Sequence, residues 1–149
     1  MEPRLNILRV KTKLIQLYAQ FSQEVEAAGL EKSLMELVKI RASQINGCAV
    51  CLHMHAIDAR KLGETEERLF MLDAWQESPL YTPRERAALA WTEALTLLTT
   101  SRAPDEIYAQ VKANFSDEES IALTMLINVI NGWNRFGVGY RRSHPHRAE

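Results

Sequence analysis

From Ser116 to about Asn134 the chain has almost no polar face: Ile121, Leu123, Met125, Leu126, Ile127, Val129 and Ile130 cover nearly every side of a helical wheel. A helix apolar all round has to be buried, at the centre of its own bundle or under a neighbouring subunit, so this segment commits the chain to packing helix on helix. The remaining sequence agrees. Alanine and leucine total 35 residues against 24 for valine, isoleucine and threonine, and only six glycines and five prolines interrupt 149 residues. Leu14, Leu17, Tyr18, Phe21, Val25 and Ala28 recur at helical spacing and predict a helix over much of 4–28, stopped by Gly29. A second is predicted over 31–44, broken by Ile45, Asn46 and Gly47, and a third from Cys48 to about Leu62, with Gly63 as its stop. Thr65 opens a short helix to about Ala74, and the stretch containing Pro79 connects it to the next. Thr82, Pro83 and Glu85 form a capping box that launches a helix to about Leu98; Pro104 to Asn114 is another, and Ser116 with Glu119 caps the apolar one. The expectation is an all-α, single-domain bundle of about seven helices spanning 1–149, oligomeric, with 140–149 a flexible tail.

Charge narrows the possible partners. Eighteen basic and nineteen acidic residues leave a net −1, which gives no field to hold a nucleic acid. The basic run Arg141, Arg142, His144, His146 and Arg147 reads as a frayed terminus. No apolar run approaches the ~18 residues of a membrane span, and the N-terminal MEPRLNILRVKTK lacks the features of a signal peptide, so a cytoplasmic protein without membrane contact is expected.

Both cysteines of the chain, Cys48 and Cys51, lie three residues apart, a spacing that in a reducing compartment is more often catalytic or metal-binding than structural. At about 100° per residue, Cys48, Cys51 and His55 share an arc of about 60° on one helix face, and His53 points away. Cys48 falls in the first turn, where free N–H groups and the helix dipole favour a thiolate, and His55, one turn after Cys51, is placed to take its proton. Two-cysteine redox chemistry, a zinc site lacking an evident fourth ligand, and inert buried thiols all remain open from spacing alone. A thioredoxin-type domain is disfavoured because no strand precedes the pair. Glu36, among Leu34, Leu37, Val38 and Ile40, reads locally as a surface carboxylate paired with Lys32 or Lys39. Asn128, Asn131 and Asn134 read as a polar stripe that fixes helix packing, and Trp75, Trp91 and Trp133 as core or interface aromatics.

Glu36-Leu37-Val38-Lys39-Ile40-Arg41-Ala42-Ser43-Gln44-Ile45-Asn46-Gly47-Cys48, followed by Cys51 and His55, resembles the core of the alkylhydroperoxidase D (AhpD)-like proteins of the carboxymuconolactone decarboxylase family. The likeness continues through Ala59, Arg60 and Gly63, Glu85 to Trp91, Glu93 and Ala94, and Asn128, Asn131, Trp133, Asn134 and Arg135, so it spans about 30–135 in order. The resemblance implies an all-helical subunit assembling as trimers or as hexamers built from dimers. It also implies a thiol peroxidase acting on organic hydroperoxides, reset by an external dithiol or redox-protein reductant. In that scheme Cys51 attacks the peroxide, Cys48 resolves, and His55 and Glu36 relay the proton; no cofactor and no metal enter. The best-studied peroxidases of the family carry a further histidine just before the second cysteine, where this chain has Val50. Decarboxylase members lack the cysteine pair, which counts against lactone decarboxylation. The alternative to an enzyme is a redox-sensing or zinc-binding oligomeric module using the same cysteines. The family and the His55 spacing favour a reactive Cys51, whereas the dipole argument favours Cys48; a base one turn away decides for Cys51.

Overall fold

The computed structural model describes residues 2–10 and 12–144 of the chain. These form nine α-helices: α1 (Ile7–Val10), α2 (Lys13–Glu26), α3 (Lys32–Asn46), α4 (Ala49–Lys61), α5 (Glu66–Met71), α6 (Pro83–Thr96), α7 (Leu98–Ser101), α8 (Asp105–Asn114) and α9 (Asp117–Gly139), with a 3₁₀ turn, Leu72–Ala74, continuing α5. There is no strand among the described residues. The seven longer helices match those expected from periodicity, and α1 and α7 are single turns of four residues. Each single turn has a local cause. The expected helix over 4–28 is divided because Thr12 caps a new start, its Oγ accepting from the Ile15 N–H at 3.3 Å. At the end of α6, Leu97 leaves helical geometry and α7 follows, closed by Arg102 and Ala103, both at positive φ. Both expected capping boxes form, at Thr82/Glu85 and at Ser116/Glu119.

Two apolar clusters hold the helices together, and α3 and α6 contribute to both. Leu34, Met35 and Val38 of α3 join Ala87, Ala88, Val111, Leu123 and Leu126 on one side, and Leu37 and Ile40 join Leu72, Trp75, Tyr81 and Leu89 on the other. Thus α3, with nine buried residues in its fifteen, is buried on both faces. Helix α9 is buried along most of its length but leaves Ile121 (63% exposed) and Met125 (41%) uncovered. It also runs five residues beyond the expected end at Asn134, which carries Gly137 to the cysteines. Of the basic tail, Arg142 donates its backbone N–H to the Gly137 carbonyl at 2.9 Å, and the His144 ring stacks on His53 with centroids 4.7 Å apart. The remainder of the expected tail, 145–149, lies outside the described residues.

Candidate active site

The site begins at the turn between α3 and α4. Gly47 adopts φ 63°, ψ 35°, a left-handed conformation that glycine enters without a Cβ penalty, and the turn closes as a Schellman motif: Gly47 N–H to Gln44 carbonyl at 3.2 Å and Cys48 N–H to Ser43 carbonyl at 3.0 Å. The expected break over Ile45, Asn46 and Gly47 is thus confined to Gly47 and Cys48, with Ile45 and Asn46 still helical. Cys48 becomes the N-cap of α4, and Cys51 stands three residues in, within the first turn. The first intrahelical bond here is Leu52 N–H to Cys48 carbonyl at 2.9 Å, so the N–H groups of Ala49, Val50 and Cys51 precede it. The positive end of α4 therefore acts on both sulfurs, and the dipole does not single out Cys48.

The two cysteines are joined as a disulfide, with Cα atoms 5.3 Å apart, and both are buried, Cys48 to 1% and Cys51 to 5% exposure. Gly137 of α9 backs the pair: a Cβ there would stand 2.5 Å from Cys48 Sγ and 3.3 Å from Cys51 Sγ. Cys51, but not Cys48, borders a cleft of about 350 Å³ that is also lined by Val50, Met54 and His55 of α4, Val129, Ile130 and Trp133 of α9, Lys39, Ser22, Glu26 and Arg142.

Behind His55 lies an ion-pair chain. His55 Nδ1 is 2.8 Å from Glu36 Oε2, and Glu36 Oε1 accepts from Lys39 Nζ at 2.9 Å. Lys39 in turn pairs with Glu26 of α2. Glu36 is 7% exposed, so the surface carboxylate read locally is in fact buried, though its partner Lys39 is one of the two expected. Burial pushes the Glu36 carboxyl up, but the hydrogen bond and charge of His55 and the Lys39 ammonium outweigh it and hold it below the ordinary 4.5. Burial would lower Lys39, yet its bonds to Glu26 and Glu36 keep it above 10.5.

A second polar cluster fixes the turn against α9. Asn46 Nδ2 donates to Asn131 Oδ1 and to Asn134 Oδ1, each at 2.9 Å, and Asn134 Nδ2 donates to Ser43 Oγ at 3.0 Å. Asn131 Nδ2 reaches Thr96 Oγ1 at 3.0 Å. Asn128 is exposed and outside this set: steps of three residues drift about 60° each around a helix, which puts Asn128 about 120° from Asn134 and out on the solvent side. The tryptophans combine packing with a bonded indole: Trp75 is buried and donates to Glu93 at 2.7 Å, Trp91 to Thr124 at 3.0 Å, and Trp133 to Ser22 at 2.9 Å. The structure brings together Cys48, Cys51, His55 and Glu36 from the sequence reading. It adds Lys39, Glu26, Arg142 and Gly137, of which only Lys39 had a local signal, its three-residue spacing from Glu36. No group of three or more His, Cys, Asp or Glu side chains arranged to hold a metal ion occurs among the described residues.

The sequence model of the carboxymuconolactone decarboxylase family matches residues 13–94, which hold the whole ion-pair chain and both cysteines. The chain belongs to the carboxymuconolactone decarboxylase family. Within it the protein is AhpD-like. A crystal structure of a protein of unknown function from Agrobacterium tumefaciens, provisionally described as the antioxidant defence protein AhpD, superposes with a TM-score of 0.95 at 38% identity, covering 98% of this chain and 100% of that one. The uncharacterized protein YdfG of Bacillus subtilis is 38% identical over 138 residues, 93% of this chain and 94% of its own length. The debrominase Bmp8 shares the fold at 18% identity, with a TM-score of 0.78 over 87% of this chain and 69% of that one. The family and the Agrobacterium neighbour are consistent with an enzyme of peroxidase-like type. No helix among the described residues is long and apolar enough to cross a membrane.

Proposed function

We propose that the protein is a thiol-dependent peroxidase that reduces organic hydroperoxides through Cys51 and Cys48 and is reset by an external dithiol or redox protein. The observation that carries this reading is the division of labour around the cleft. Cys51 and His55 border it, Cys48 sits behind Cys51 in disulfide bond, and a buried carboxylate, Glu36, holds the far nitrogen of His55 at 2.8 Å. A carboxylate on Nδ1 fixes the tautomer that leaves Nε2 free to accept a thiol proton, and stabilises the imidazolium that results. Lys39 keeps Glu36 ionised for that task.

In the reduced protein His55 takes the Cys51 proton. The thiolate attacks the terminal peroxide oxygen, the O–O bond breaks, and the alkoxide leaves as alcohol with the proton from His55, so Cys51 becomes a sulfenic acid. Cys48 then attacks the Cys51 sulfur, expelling water and giving the disulfide seen here. An external dithiol donates two electrons and two protons by exchange, entering at Cys51, the sulfur that borders the cleft. Val50 places an apolar side chain on the cleft wall at the position where the best-studied peroxidases of the family carry a histidine, which leaves proton transfer to His55 and its partner Glu36.

The test compares single-cysteine variants under peroxide with a sulfenate-trapping reagent, followed by timed intact mass. Cys48→Ser should label rapidly at Cys51 and advance to sulfinate with excess oxidant, and Cys51→Ser should label slowly. The reverse ranking would exchange the two roles. Disulfide formation in the native protein without sustained peroxide consumption in the presence of dithiothreitol would reduce it to a redox-sensing module.

A further inference from the structure

The cleft beside Cys51 holds a charge that the proton relay does not use. Glu36 is engaged by His55 and Lys39, and Glu26 by Lys39, so both carboxylates at this site already have cationic partners. Arg142, half-buried on the cleft wall, has no carboxylate partner for its guanidinium among the described residues, although its backbone N–H is tied to the Gly137 carbonyl at 2.9 Å. The same cleft has an apolar lining of Val50, Met54, Val129, Ile130 and Trp133, the last oriented by its bond to Ser22. A neutral, wholly apolar ligand would fill that wall and leave the guanidinium unmatched.

We infer that this cleft takes an amphipathic monocarboxylate, its chain along the Val129–Trp133 wall and its carboxylate on Arg142, and that the preferred hydroperoxides carry such a group. The planar fork of a guanidinium matches a carboxylate through two parallel bonds. The ligand carries one negative charge rather than two, because the Glu26 carboxylate also faces the cleft, 48% exposed, and a dianion beside it would be repelled. A cleft of about 350 Å³ suits a small organic molecule and excludes a folded partner. That such a molecule is a substrate rests on the peroxidase reading; that it binds does not.

The experiment uses the full chain in its disulfide form, titrated calorimetrically with octanoate and with 1-octanol, neither of which can react. Octanoate should bind about tenfold more tightly than octanol, the increment of one charge-assisted bidentate contact at a partly exposed site. In Arg142→Gln that ratio should fall to about one, and Arg142→Lys should restore part of it, with octanol binding reporting that the cleft is intact. Equal affinities in the native protein, binding of neither probe, or an undiminished ratio in Arg142→Gln would each overturn the inference. A parallel arm compares kcat/KM for a carboxylated hydroperoxide with that for cumene hydroperoxide, and the ratio should fall about tenfold in Arg142→Gln. Arg142-dependent octanoate binding without turnover of any peroxide would leave the ligand class standing and remove the peroxidase reading instead.

Discussion

Glu36 shows why one residue can be read correctly from its neighbours and still be misplaced. Its pairing with Lys39 follows from three-residue helical spacing, but spacing carries no information about depth, and α3 is buried on both faces because α6 and α9 flank it. The depth changes the energetics. Because its folded pKa is depressed, ionised Glu36 stabilises the fold above the ordinary 4.5, and that contribution is lost as pH falls through the folded value. Lys39 acts in the opposite range: its pKa is raised, so its contribution is complete below 10.5 and is lost as pH rises through the folded value. Glu36→Gln should therefore flatten the acid limb of a stability–pH curve measured by urea unfolding; an acid limb identical to the native one would remove the ion-pair chain as its source. For the proposed chemistry, the oxidation rate of Cys51 should follow thiolate population and level off below the free-cysteine pKa of about 8.5. His55→Ala should slow it about 100-fold at neutral pH and recover part of the loss in alkali. Stopped-flow rates with the same pH profile in both proteins would take His55 out of the mechanism.

At the level of elements, the helices were legible wherever a cap or a period announced them, as with the two capping boxes and the Gly47 turn. The end of α9 was not. Gly132, Gly137 and Gly139 look like stop signals in a sequence, yet two of them serve close packing inside a continuous helix: Tyr18 lies where a Cβ at Gly132 would be, and the cysteine sulfurs where a Cβ at Gly137 would be. A glycine that makes room for a side chain more than eighty residues away leaves no local trace, so the wall behind the disulfide could not be read in advance. This contrast is measurable. Replacing glycine by alanine within a helix gains up to about 1 kcal/mol in propensity, and overpacking costs about 1–3 kcal/mol, so the local space decides the sign. At Gly139 nothing lies within 4 Å of the added Cβ, and Gly139→Ala should raise the melting temperature of the oxidised protein slightly. At Gly137 the Cβ would sit 2.5 Å from a sulfur held in a disulfide, and Gly137→Ala should lower it by a few degrees. Calorimetry that ranks the two variants the other way would contradict the close approach of α9 to Cys48.

At the scale of the whole molecule, the subunit leaves a substantial apolar surface uncovered. The reading of α9 as central or buried by a neighbour divides between its sides: Leu123, Leu126, Ile127 and Ile130 face the core, whereas Ile121 and Met125 face out. They do not stand alone. On α2, Leu14 is 78% exposed and Phe21 43%, and Phe21 shares a groove of about 370 Å³ with Ile121 and Met125. Regular spacing on α2 correctly announced a helix, but it did not reveal that Leu14, Leu17 and Phe21 lie on the side away from the core, since a heptad-like stripe looks the same whether its partner is in the same chain or another. A contiguous apolar strip across two helices is costly to leave in water for a 17.0 kDa chain whose net charge is only −1, because little repulsion opposes association. The protein should therefore be a homo-oligomer of at least three chains at micromolar concentration when measured by multi-angle light scattering. Adding charge to the strip with Phe21→Asp and Ile121→Glu together should shift the mass towards the single chain, with the helical circular dichroism kept, since neither side chain is in the core. A native protein that runs as a monomer would show that the strip is an ordinary exposed surface, and an oligomer indifferent to the double variant would place the contact elsewhere, on the groove between Leu14 and Tyr140.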